Sequence, residues 1–189
     1  MIRIKLLFAL ILILSGVVII SYAIYNISFK KEKIKEPNYI EQQSPQETTA
    51  YYPALGDSIG TLKIPVLSQE MPIIEGTGAD QLEVGVGHFV QSVMPGVEDN
   101  CVFSGHRDTF FSRLGELKIG DKLIVTTSID TYTYQIQNIR IVEKDDRTVI
   151  VPTDFAALTL TTCYPFNYFG SAPQRYIVTA YLIPTEDPS

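Results

Sequence analysis

Hydrophobic and polar positions along the chain fall into three regimes. From Leu6 to Phe29 there is no charged residue, and Leu6–Ile27 reads LLFALILILSGVVIISYAIYNI. As a helix this run spans roughly 33 Å at about 1.5 Å per residue, enough for the hydrocarbon core of a bilayer. It is longer than the apolar stretch of a signal peptide, and no small-x-small cleavage site follows it. The pattern predicts a retained membrane anchor over residues 1–29, with Tyr22 and Tyr25 toward one interface. Residues 30–55 are polar, Pro-containing and aperiodic, and predict a juxtamembrane linker.

Beyond residue 55 the period changes to that of strands. Short β-rich runs bounded by turn residues recur at Ile59–Ile64, Met71–Ile74, Gly85–Val90, Cys101–Ser104, Lys122–Thr127, Thr131–Val142, Thr148–Val151, Leu158–Thr162 and Tyr176–Ile183. Thr131–Gln137 alternates strictly, which puts Tyr132, Tyr134 and Ile136 on one face. Ser128–Asp130 fits a hairpin loop. Tyr176–Ile183 is apolar on both faces, as a central strand is. Helical signal is limited to Ala79–Glu83 and to Thr109–Leu117. In the second, Asp108 is the candidate N-cap and Phe110, Leu114 and Leu117 form the stripe. Eight or nine short strands with only short helices predict a mainly β barrel or sandwich over residues 56–189.

Charge follows the same division. Residues 1–55 carry six basic and four acidic side chains, net +2; residues 56–189 carry nine and seventeen, net −8. An acidic body lacks the electrostatic footprint of a nucleic-acid binder, so no nucleic-acid partner is expected. Two cysteines build neither a disulfide framework nor a Cys-rich zinc site. Counting only Lys and Arg, the flanks of the apolar run do not favour an external C-terminal domain.

Three segments carry unusual chemistry. Ser104–Gly105–His106–Arg107–Asp108 delivers a His where a strand ends at a Gly. Thr159–Leu160–Thr161–Thr162–Cys163 delivers a Cys at the end of a β-branched strand, which Tyr164–Pro165 stops. Pro173–Gln174–Arg175–Tyr176 places an Arg at the start of the last strong strand. If the fold brings the three together at one rim, they suit nucleophilic acyl transfer. A thiolate attacks, an imidazole protonates the leaving amine, and a guanidinium donates to the developing oxyanion. Each also has an ordinary reading: a small buried hydrophobe, a turn residue and a surface cation.

The joint contexts resemble the sortase family, the membrane-anchored transpeptidases of Gram-positive bacteria. Thr159–Cys163 matches the family's TLxTC motif without departure, and the His and Arg segments match beside it. Gly60–Pro65, Met71–Gly76 and Gly85–His88 extend the likeness over nearly all of residues 56–183. HRDTFF and the run from TCYPF to APQRY resemble the class C and class D branches. Tyr51–Ser58 lacks the Asp-Pro-aromatic lid motif usual in pilin-polymerising class C enzymes. No second hydrophobic segment appears before Ser189, and both features point to class D.

The resemblance implies an eight-stranded sortase β-barrel preceded by one N-terminal transmembrane helix. It implies Cys163 as nucleophile, His106 as general acid/base and Arg175 as the third catalytic residue. The implied substrates are surface proteins with an LPxTG-like sorting signal, cut after its Thr through a thioacyl-enzyme. The implied acceptor is an amine of a peptidoglycan precursor, and the lipid bilayer holds residues 6–29. It places the domain outside the cell with the N-terminus cytoplasmic, in a single-pass topology. Ser104, Thr161 and Thr162 are expected near the substrate, and strand alternation puts Thr161 on the face of Cys163 and Thr162 on the other. His88 and Asp108 are expected behind the site, Asp108 as a helix cap. Cys101 is expected in the core. The chemistry requires no cofactor, and Glu143, Asp145, Asp146 and Asp154 read as a solvated charge run, so no metal is expected. A pilin polymerase with a Lys acceptor, a cysteine protease and a tethered binding module without activity are the alternatives. The resting protonation of Cys163 and His106 belongs to a coupled pair and stays open.

Overall fold

The structure, a computed structural model, describes residues 15–18, 20–22, 52–167 and 170–184. The chain divides into two compact units, Met1–Thr49 and Ala50–Ser189. The expected anchor and linker fall almost entirely outside the described residues. Residues 15–18 and 20–22 are helical, and among the described residues no helix is long and apolar enough to cross a membrane.

The second unit is a closed barrel of eight strands. They are β1 (Ser58–Ile64), β2 (Gln69–Glu75), β3 (Val86–His88), β4 (Asp99–Ser104), β5 (Lys122–Thr127), β6 (Thr131–Glu143), β7 (Ala156–Tyr164) and β8 (Gln174–Leu182). Around the barrel the order is β1-β2-β3-β4-β7-β8-β6-β5. Closure pairs every strand on both sides and leaves no open edge. Pairs β2/β3 and β4/β7 are parallel and the other six are antiparallel. Alternation sorts the side chains as expected. Tyr134 and Ile136 of β6, Phe103 of β4, and Leu158 and Leu160 of β7 point inward and are fully buried in one apolar cluster. Each such side chain contributes about 1.5–3 kcal/mol through its burial.

The glycine at position 60 lets β1 close on β5. Its φ is 154°, and a Cβ there would lie 2.1 Å from the Thr126 carbonyl oxygen. The β5–β6 hairpin forms through Ser128–Asp130, with Thr126 opposite Thr131. β1 begins beside this hairpin, since Gly60 faces Thr127. β8 ends there too, since Leu182 faces Tyr134. The opposite pole holds Glu143, Gln174 and the end of β7.

Two expected elements differ. Thr148–Val151 is not a strand but part of the irregular loop from β6 to β7. Thr109–Leu117 is not an α-helix: turns lead into a 3₁₀ turn at Leu114–Glu116. The buried residues there are Phe111, Leu114 and Leu117, at a spacing of three. That is the 3₁₀ period, and the i→i+3 bonds Leu114 N–H to Phe111 O (3.2 Å) and Leu117 N–H to Leu114 O (3.3 Å) follow it. Asp108 therefore caps no α-helix and is exposed. The helix at Ala79–Val84 is present.

Candidate active site

Strand register assembles the site. β4 runs parallel to β7 with Ser104 beside Thr161. The ladder continues one step, as Gly105 N–H donates to Thr161 O at 3.2 Å. His106 lies two residues past Ser104 and Cys163 two past Thr161, so the same offset brings them level. On the other side of β7, Cys163 faces Arg175 of β8. Three segments far apart in sequence thus meet where adjacent strands end.

Face parity decides what the groove contains. Cys101, Phe103, Leu158 and Leu160 point into the barrel. Ser104, Thr161, Cys163 and Arg175 have the opposite parity and point out of it. The groove therefore lies on the outer wall near the strand ends. It is an open cavity of about 380 Å³ lined by Cys163, His106, Arg175, Ser104, Thr161 and Thr162. Loop residues Lys144, Asp146, Val149 and Ile150 line one side, and Thr77 and Leu82 also contribute.

The segments that carry Cys163, His106 and Arg175 are fixed by their neighbours. Thr162 is buried inside the barrel end, and its hydroxyl donates to the Gly105 carbonyl at 2.7 Å. This bond ties the backbone just before His106 to the backbone just before Cys163. Gly105 is required for space, because a Cβ would sit 2.6 Å from the Phe111 ring. Phe111 N–H in turn donates to the His106 carbonyl at 3.0 Å. Arg175 Nη1 donates to the carbonyls of Ala172 (3.2 Å) and Gln174 (2.9 Å). Its other N–H groups make no hydrogen bond to a described residue, so a held cation keeps donors for the groove. Beyond Cys163, Tyr164, Phe166 and Tyr176 pack ring against ring with centroids 5.2–6.0 Å apart.

The other sequence candidates lie elsewhere. His88 is buried on β3, and its Nδ1 is 2.6 Å from Glu75 Oε2. It does not line the groove. Asp108 does not line it either. Cys101 is 1% exposed inside the barrel, and burial, then the Glu75 charge, push its thiol well above the ordinary value. Both cysteines are free. Among the described residues no three His, Cys, Asp or Glu side chains converge as a metal site.

Sequence reasoning missed the loop side of the groove. Val149 and Ile150 give only a β-branched apolar signal, which reads equally as a strand. Buried Asn100 was also missed, and Thr159 reads only as part of its motif, for a lone polar residue in a strand has no signature until its partners are known.

Comparison with known proteins agrees with the geometry. A family model described as the sortase domain matches residues 62–183. Sortase D of Bacillus subtilis (strain 168) is 39% identical over 186 residues, covering 89% of this chain and 94% of that protein. The solved structure of a Clostridium perfringens sortase D5 transpeptidase superposes with a TM-score of 0.64 at 32% identity, over 69% of this chain and 82% of that one. Sortase C1 of Streptococcus agalactiae gives 0.62 at 32% identity, over 68% and 69%. Barrel, groove and relatives coincide: the chain belongs to the sortase family of transpeptidases and is class D-like.

Proposed function

We propose that this sortase cuts an LPxTG-like sorting signal after its Thr and transfers the protein to an amine of a peptidoglycan precursor. The observation that supports the reading is the β4/β7/β8 register, which lines one groove with Cys163, His106 and Arg175. The Cys163 thiolate forms a bond to the Thr carbonyl carbon as the oxygen takes negative charge. Arg175 donates to that oxygen. The C–N bond then breaks, and His106 gives its proton to the departing amine. The thioacyl-enzyme is resolved when an acceptor amine attacks the same carbon. Neutral His106 takes a proton from that amine, and the C–S bond breaks to return the thiolate.

The uncharged run from Leu6 to Phe29 supports a single-pass anchor, and the cytoplasmic N-terminus and extracellular domain rest on the family likeness. Membrane fractionation with protease protection of intact cells tests that placement.

The activity is tested with the full chain in detergent, LPxTG-like peptides and a panel of amines, with products read by mass spectrometry. A thioacyl adduct on wild type, absent from Cys163→Ala, is expected. No adduct with any peptide would overturn the proposal. A Lys side-chain amine as the preferred acceptor would identify a pilin polymerase instead, and hydrolysis that added amines do not divert would identify a protease.

A further inference from the structure

The loop at residues 144–155 supplies the groove side that holds Val149 and Ile150, yet it contains no helix or strand. Its backbone groups need partners from outside the loop. Arg140 Nη2 donates to the Thr148 carbonyl at 2.9 Å and Lys144 N–H to the Pro173 carbonyl at 3.0 Å, and Asn100 serves the stretch around Ile150. Asn100 sits on β4, 7% exposed, and its Nδ2 donates to the carbonyls of Val149 and Val151, each at 3.2 Å. Its Oδ1 accepts the Thr159 hydroxyl at 2.8 Å. The amide orientation is set by these partners, since a flipped group would place its oxygen against two carbonyl oxygens. Asp99 Oδ1 adds a bond from Thr153 N–H at 2.9 Å.

The two carbonyls held by Asn100 bracket Ile150. Fixing residues i and i+2 fixes the position between them, and Ile150 faces the groove. Asn100 stands on β4, whose end at Ser104 leads two residues on to His106, and Thr159 stands four before Cys163 on the neighbouring strand. The latch and the reactive side chains are therefore referenced to the same pair of strands.

We propose that Asn100 is a positioning residue that sets the Val149–Ile150 wall at its working distance from Cys163. It acts on peptide binding and leaves the chemical step alone. This rests on the groove being the sorting-peptide site.

The test uses the full chain with Asn100→Ala, Asn100→Asp and Thr159→Val. Hydrogen exchange across residues 147–153 reports the loop, steady-state kinetics report the peptide, and iodoacetamide reports Cys163 without any peptide. For Asn100→Ala, exchange rises about tenfold and peptide KM rises about tenfold, while kcat and alkylation stay within about twofold. Asn100→Asp does at least as much, because a carboxylate repels both carbonyls. If Asn100→Ala does not fold, Thr159→Val loosens the same latch with the side-chain shape kept, and is read in the same way. Ile150→Ala raises KM without changing exchange.

Unchanged exchange, or raised exchange with unchanged KM, overturns the latch. So does a fall in kcat and alkylation at constant KM, which would place the effect in the barrel. In either case wild type still processes peptide. A wild type that processes no peptide overturns the functional reading instead, and the binding role with it.

Discussion

The chain has two cysteines and two histidines, and the barrel wall places one of each on either side. On the outer side, Cys163 and His106 line an open groove beside Arg175. On the inner side, Cys101 lies in the apolar cluster and His88 is locked to Glu75, with His88 2% and Glu75 6% exposed. The residue types match, yet the chemistry differs. A buried thiol is held neutral, and a histidine with a carboxylate on one nitrogen and Val93 O and Ser92 Oγ 3.1 Å from the other has no free lone pair aimed at solvent. Parity within a strand, more than residue type, separates a groove-lining side chain from a packing one.

Exchange of function between the two cysteines is the hardest test. Cys163→Ala should lower transpeptidation at least about 10⁴-fold, whereas Cys101→Ala should stay within about twofold. Comparable losses would erase the distinction. The histidines should divide in the same way. His106→Ala should lower kcat about 10²–10⁴-fold with stability nearly unchanged. His88→Ala should leave Glu75 buried without its partner and cost about 3 kcal/mol in denaturant unfolding, with activity retained while the barrel is folded.

A smaller effect concerns alkaline pH. The Cys101 thiol is raised by burial, so above the ordinary value of 9.0 the unfolded chain releases a proton that the folded barrel retains. Its share of stability is complete below that pH and falls as pH rises. In Cys101→Ala, the loss of unfolding free energy as pH rises above 9.0 should be shallower than in wild type. Tyr134, also raised by burial, acts in the same direction at higher pH. An identical slope in both proteins would show that Cys101 ionises inside the barrel. The smallest effect tests the tie across the strands. Thr162→Val removes the bond to Gly105 O and should cost about 1 kcal/mol and a severalfold loss of kcat, with Thr162→Ser near wild type.

Much of this could be read before the fold was known, for local reasons. Strict alternation in TYTYQIQ groups Tyr132, Tyr134 and Ile136 on one face of β6, which the barrel turns inward, and the β5–β6 hairpin follows from its loop. The motif residues were also legible, but their adjacency was not. Cys163 beside Arg175 depends on an antiparallel register, and Cys163 beside His106 on a parallel one across a 57-residue separation (163 − 106). Thr109–Leu117 misled because Phe110 and Phe111 support different periods. Phe110, Leu114 and Leu117 fit 3.6, while Phe111, Leu114 and Leu117 fit 3.0. The packing of Phe111 against Gly105, 0% exposed, selects the second. Thr148–Val151 misled because an apolar loop wall and an apolar strand look alike in one dimension.

Both ends of the barrel's chain meet at the hairpin pole, away from the end of β7. This gives the domain a back and a front. A bead, a purification handle or a fused partner attached beyond Leu182 starts from the back and leaves the reactive mouth clear. A linker joining Leu182 to Ser58 would close the chain into a ring without passing over Cys163. An immobilised or cyclised enzyme built on this geometry keeps its working surface by orientation alone.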